Sequence, residues 1–164
     1  MTTAVATWPI WAAAIGAENA LDSGVKAGEA TTHGNALPQG QPSTRVMATP
    51  QDANAGGDIF GGWIMSQVDI AGSIAAFRRA RGRIVTVAVN AFQFHKPVLV
   101  GDLVSFYADV VRVGRSSITV DVKVFSERMR DGQISCTYVT AATLTYVAID
   151  ADRKPRPVPA DDKL

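Results

Sequence analysis

A pair of glycines and a carboxylate two helical turns further on are the residues of this chain best suited to chemistry. Gly61 and Gly62 stand directly ahead of the segment WIMSQVDIAGSIAAFRRAR, and Asp69 follows Gly62 by seven residues. A glycine turn that opens a helix leaves backbone N–H groups free, with the positive end of the helix dipole behind them, and such a setting can hold a carbonyl oxygen as it becomes an oxyanion. Glycine also lets a substrate come close to the backbone. By themselves, two glycines describe a plain loop-to-helix junction before they describe a site. Asp69 adds to them, because helical spacing puts it close to the face of Gly62 inside a stretch of otherwise apolar and small residues. A carboxylate there is either a core group paired to a neighbour, or a general base or nucleophile whose desolvated site suits the activation of water. Asp58, ahead of the glycines, is a second carboxylate whose structural role would be a turn or a helix cap.

These residues need elements to hold them. Ser43 to Thr49 reads as a short strand, and PQDANAGGD after it clusters turn formers into a loop. Ile64, Val68, Ala71 and Ala75 then recur at helical spacing, and basic residues followed by Gly82 mark the end of a helix of roughly 17 residues. Met65, Ile70, Gly72, Ala76 and Phe77 occupy its other faces, so a helix wrapped by other structure is expected. Downstream the period changes to two in RIVTVAVNAFQF, DLVSFYADVVRV, SSITVDVKVFSE and QISCTYVTAATLTYVAI. The connections VGRS, with Gly114 and Arg115, and RMRDGQ, with Asp131 and Gly132, favour hairpins. The expectation is an α+β fold, an antiparallel sheet around one central helix, whose exposed strand edges invite pairing with another subunit.

Composition narrows the function. The 164 residues carry a net charge of +1, without the basic excess of a nucleic-acid binder. Cys136 is the single cysteine and lies in an apolar run, so it reads as packing and, lacking a disulfide partner, points to a cytoplasmic home. Two histidines, His33 and His95, lie far apart in sequence from Cys136, and no metal-ligand cluster is expected. The opening MTTAVATWPIWAAAIG has only about ten apolar residues in a row and no Lys or Arg ahead of them, so neither an export signal nor a membrane span is expected. Residues 1–42, rich in Ala, Gly, Thr and Asn from Glu18 onward, read as a flexible extension, with a patch around Trp8 and Trp11, and residues 43–164 as the functional domain.

The block ATPQDANAGGDIFGGWIMSQVDIAGSI, followed by RIVTVAVNAFQFHKPVLVGD and VGRSSITVDVKV, resembles the YciA type of acyl-CoA thioesterase, kin of the cytosolic long-chain acyl-CoA hydrolases. The resemblance runs from about Ser43 to Pro159, and GDIFGGW with QVD after it fixes loop, helix start and helical carboxylate together. It implies the hotdog fold, active sites at a dimer interface, and three dimers assembled as a hexamer. It implies that Asp69 is the catalytic carboxylate, acting on water or on the thioester carbonyl, with Asp58 as a positioning group. It implies that an amide of Gly61 or Gly62 supports the thioester oxygen. Relatives often carry His where this chain has Phe60, so no His-assisted step is expected. Coenzyme A, part of the substrate rather than a cofactor, would be met by Arg83, Lys96, Gly114, Arg115, Ser116 and Ser117, since Arg and Lys suit phosphate oxygens and a glycine turn frees N–H groups. Arg153, Lys154 and Arg156 are further basic groups within reach of the nucleotide.

Two rivals remain at this level. A hotdog hydratase or dehydratase needs a His and an acid beside the helix, and only His95, at a strand end, is available in the domain. A non-catalytic acyl-CoA sensor would use the same pocket, but Asp69 counts against it and no DNA-reading segment accompanies the domain.

Overall fold

The computed structural model of the chain describes residues 36–160. The expected extension falls mostly outside the described residues, as do His33, Trp8 and Trp11. Chain order is β1 (Thr44–Met47), a 3₁₀ turn (Pro50–Asp52), α1 (Gly61–Ala80), β2 (Ile84–Phe94), β3 (Leu103–Val113), β4 (Ser117–Arg130) and β5 (Gln133–Ala148). The strands form one antiparallel sheet in the order β1-β3-β4-β5-β2, so β2 is the long edge strand.

Binary patterning explains the layering. On β4 Ile118, Val120, Val122 and Val124 are fully buried, and on β5 Ala142, Leu144, Tyr146 and Ala148 alternate in the same way. They close over Ile64, Val68, Ala71, Ala76 and Ala80 of α1 in a single cluster. The β4–β5 hairpin turns through Asp131 and Gly132 at φ 50° and 75°, the paired positive φ values of a tight type I′ connection.

Two expectations about the helix are corrected. It runs for 20 residues and takes Gly61 and Gly62 into its first turn, with Phe60, not Asp58, as its N-cap. Nor is it wrapped on all sides within one chain: Met65, Ile70 and Phe77 are about half exposed, because a single sheet can cover only one side of a helix. Its far end is closed by Arg81 in the left-handed region and by the Arg156 guanidinium, which donates to the Ala80 carbonyl at 2.7 Å.

Candidate active site

Asp69 sits in the middle of α1, half-buried, where the helix passes β2 and β5. Thr86 of β2 donates its hydroxyl to Asp69 Oδ1 at 2.8 Å. The Tyr146 hydroxyl of β5 lies 3.3 Å from the same oxygen and 3.1 Å from the Asp69 carbonyl. Among the described residues nothing hydrogen-bonds Oδ2, which leaves one carboxylate oxygen for solvent or substrate. Burial first, then the Asp69 charge and the bond to it, hold the Tyr146 phenol above its usual range, so it stays protonated and acts as a donor. Sequence reasoning does not single out Thr86 or Tyr146. A Thr or Tyr in a strand is ordinary, and the one signal is polar Thr86 interrupting the apolar run IVTVAV.

Thr86 also lines a cavity of about 800 Å³ whose walls include Ile74, Phe77 and Ile149 and whose cations are Arg78, Arg83 and Arg153. This cavity brings Arg83 into the neighbourhood of Asp69. The hairpin carrying Gly114, Arg115, Ser116 and Ser117 lies at the same end of the sheet. The Ala148 N–H donates to the Ser116 carbonyl and the Ile149 N–H to the Arg83 carbonyl, each within 3.0 Å. A Cβ at Gly114 would come 2.6 Å from Ser117 Oγ, so that hydroxyl would have to turn away. Arg156, engaged with Ala80 and with the Ile149 carbonyl, serves the helix end rather than the cavity.

The other candidates gather at the opposite end of β2. Trp63 and Ile64 make the first N–H bonds back to the Phe60 carbonyl, so the N–H groups of Gly61 and Gly62 lie outside the helical ladder. A Cβ on Gly61 would press on the Phe94 ring at 3.1 Å, whereas Gly62 faces open space. A second cavity of about 370 Å³ is lined here by Gly61, Phe94, His95 and Lys96. His95 stacks on Tyr138 with ring centroids 5.6 Å apart. Asp58 is exposed and forms a β-bridge with Leu99, and the neighbouring Ile59 N–H donates to Val98. Lys96 is therefore separated from Arg83 by the length of β2 within one chain. Gly62 and Asp69 are likewise about 10 Å apart along the helix axis, at 1.5 Å per residue.

Two further groups are accounted for. Cys136 of β5 has its thiol pushed up by burial and by nearby Glu127, which disfavours a reactive thiolate. Among the described residues no three His, Cys, Asp or Glu are grouped so as to hold a metal ion, and no helix is long and apolar enough to cross a membrane.

Residues 56–133 match the model of the thioesterase superfamily. The chain is 48% identical over 123 residues to the acyl-CoA thioester hydrolase YciA of Salmonella typhimurium, covering 74% of this chain and 92% of that protein. It superposes on a hexameric hotdog fold thioesterase of Campylobacter jejuni with a TM-score of 0.71 and 44% identity, over 73% of this chain and 91% of that one. A hexameric broad specificity acyl-coenzyme A thioesterase, solved as an aspartate-to-alanine mutant, gives a TM-score of 0.72 at 43% identity, over 76% of this chain and 90% of that one.

Proposed function

The chain belongs to the thioesterase superfamily, as a hotdog-fold acyl-CoA thioester hydrolase of the YciA type, and on that premise we propose that it splits fatty acyl-CoA into free acid and coenzyme A at a site centred on Asp69. The observation that carries this reading is the Asp69 carboxylate, fixed at Oδ1 by Thr86 and met at Oδ2 by none of the described residues, beside an apolar cavity with arginines on its wall. Water adds to the thioester carbonyl, the C–S bond breaks, and coenzyme A leaves as a thiol once it has taken a proton. Asp69 acts as the general base for that water or as the nucleophile in a two-step route. An N–H of Gly61 or Gly62 holds the developing oxyanion, and Asp58 steadies the loop ahead of it. Neither metal nor organic cofactor enters the reaction.

A substrate carbonyl about 3 Å from the glycine amides cannot easily also face a carboxylate two helical turns away. Pairing two β2 edges antiparallel about a two-fold axis near Asn90 would remove the difficulty. Thr86, beside Asp69, would then lie opposite Phe94, beside Gly61, of a second copy. Each site would join the carboxylate of one subunit to the glycine turn of the other, and Lys96 would join Arg83, Gly114, Arg115, Ser116 and Ser117 around coenzyme A. Half-exposed Val89, Phe94, Met65, Ile70 and Phe77 along this side support such a dimer. Three such dimers would make a hexamer, and both solved relatives are hexameric. Residues 43–164 constitute this catalytic domain, and the single, free Cys136 suits a cytoplasmic setting.

The test is release of free thiol from acyl-CoAs of short to long chain by the wild type and by Asp69→Asn. Turnover by the wild type and a loss of about a hundredfold or more in the variant are expected, the low end for removing a positioned acid–base group. Tight binding of acyl-CoA without thiol release from either protein would instead favour the sensor.

A further inference from the structure

Tyr146 is fully buried on β5, yet its hydroxyl ends against the one ionisable side chain of the helix interior. Space for that hydroxyl exists only because residue 72 is glycine: a Cβ there would overlap Tyr146 Oη. Gly72 lies three residues beyond Asp69, so it occupies the same side of the helix. The helix accepts the conformational cost of an interior glycine, and in return the phenol reaches both the Asp69 carbonyl and Oδ1. A core tyrosine that served packing alone would need neither the gap nor the carboxylate. We propose that Tyr146 is a positioning residue, whose hydroxyl, admitted by the missing side chain of Gly72, works with Thr86 to fix the Asp69 carboxylate so that Oδ2 faces the substrate.

Thr86 approaches from the edge strand, and Tyr146 from a strand held on both sides by its neighbours. The pair therefore ties the carboxylate to the most deeply buried part of the sheet as well as to the subunit edge. Because the phenol retains its proton, its contribution is orientation and not proton transfer.

The inference rests on Asp69 being the catalytic carboxylate, and its test separates the two claims. Tyr146→Phe, Gly72→Ala and the double variant are compared with wild type for kcat, KM, oligomeric state and melting temperature. Tyr146→Phe should lower kcat by about tenfold, the kinetic equivalent of one hydrogen bond to a charged group. KM should stay within about twofold and the assembly should remain intact. Gly72→Ala, which keeps the tyrosine but pushes its hydroxyl aside, should lose kcat similarly, and the double variant should be no slower than Tyr146→Phe because both changes remove one interaction. Tyr146→Phe with wild-type kcat overturns the proposal. So does a loss that appears as raised KM with lowered melting temperature, the mark of a packing role. Should Tyr146→Phe not fold, Gly72→Ala with full kcat overturns it equally. If Asp69→Asn itself retains full activity, the failure belongs to the parent reading.

Discussion

A threonine hydroxyl 2.8 Å from a carboxylate oxygen holds the rotamer that aims the other oxygen. Thr86 is exposed in the single chain, so its side chain adds little to the core. Thr86→Val keeps the shape and removes the donor, and kcat should fall by roughly tenfold or more for loss of a hydrogen bond to a charged group. Thr86→Ser should restore most of the rate, and thermal melts of both should match the wild type. Steady-state kinetics on one acyl-CoA checks this, and equal rates for Val and Ser would remove Thr86 from the site. The contrast with Asp69 shows what a sequence exposes at this scale. An acid in an apolar helix stands out by type and period, so residue order singles out Asp69, whereas Gly61 and Gly62 gain meaning only from the motif around them. Thr86 and Tyr146 are strand-formers in strands, and only the register of β2 and β5 against α1 reveals what their hydroxyls touch.

Elements were legible wherever their period was long and clean. Among the described residues the four long strands and the helix lie where alternation and 3.6-residue spacing put them, with ends moved by a few residues. What periodicity cannot supply is the loop that leads from β2 to β3 and carries the partner of Asp58. That loop is held by Asp102, 1% exposed, which accepts the Leu99 N–H at 3.0 Å and a two-pronged bond from Arg128 of β4 at 2.6 and 2.7 Å. Asp102 raises the Arg128 guanidinium further above its already high range, through their hydrogen bond first and its charge second, against the opposing effect of burial. Arg128→Ala strands a buried carboxylate, and the expected loss is about 3 kcal/mol of stability, the scale for removing one partner of a buried ion pair. Denaturant midpoints at fixed protein concentration measure it. Replacing both partners by apolar residues, as in Asp102→Leu with Arg128→Met, should recover much of that loss. An unchanged midpoint in Arg128→Ala would show that the loop is held by other means.

The whole molecule is where the sequence said least, because a chain does not announce which of its faces another copy covers. It did forecast an exposed strand edge, and the structure identifies the long edge as β2, flanked by helix side chains that the single sheet leaves uncovered. If each site combines the Asp69 side of one subunit with the glycine turn of the other, activity and pairing are one property. Val89, 48% exposed and adjacent to the proposed two-fold, is the place to test this. Val89→Arg sets two like charges near each other across the seam, and Val89→Asp does the same with the opposite sign, so either variant alone should run as a species smaller than the wild type on a sizing column. Both should lose at least about a hundredfold in kcat, because a positioned group and its oxyanion donor are then held apart. Mixing the two variants places unlike charges across the seam and should restore both the larger species and much of the activity. That recovery excludes the simpler explanation that a charge near Thr86 merely spoils the local chemistry, since each subunit in the mixture still carries its charge. A folded monomer hydrolysing acyl-CoA at the wild-type rate would mean that one chain assembles a complete site, and the two helical turns between Gly62 and Asp69 would then have to be spanned within it.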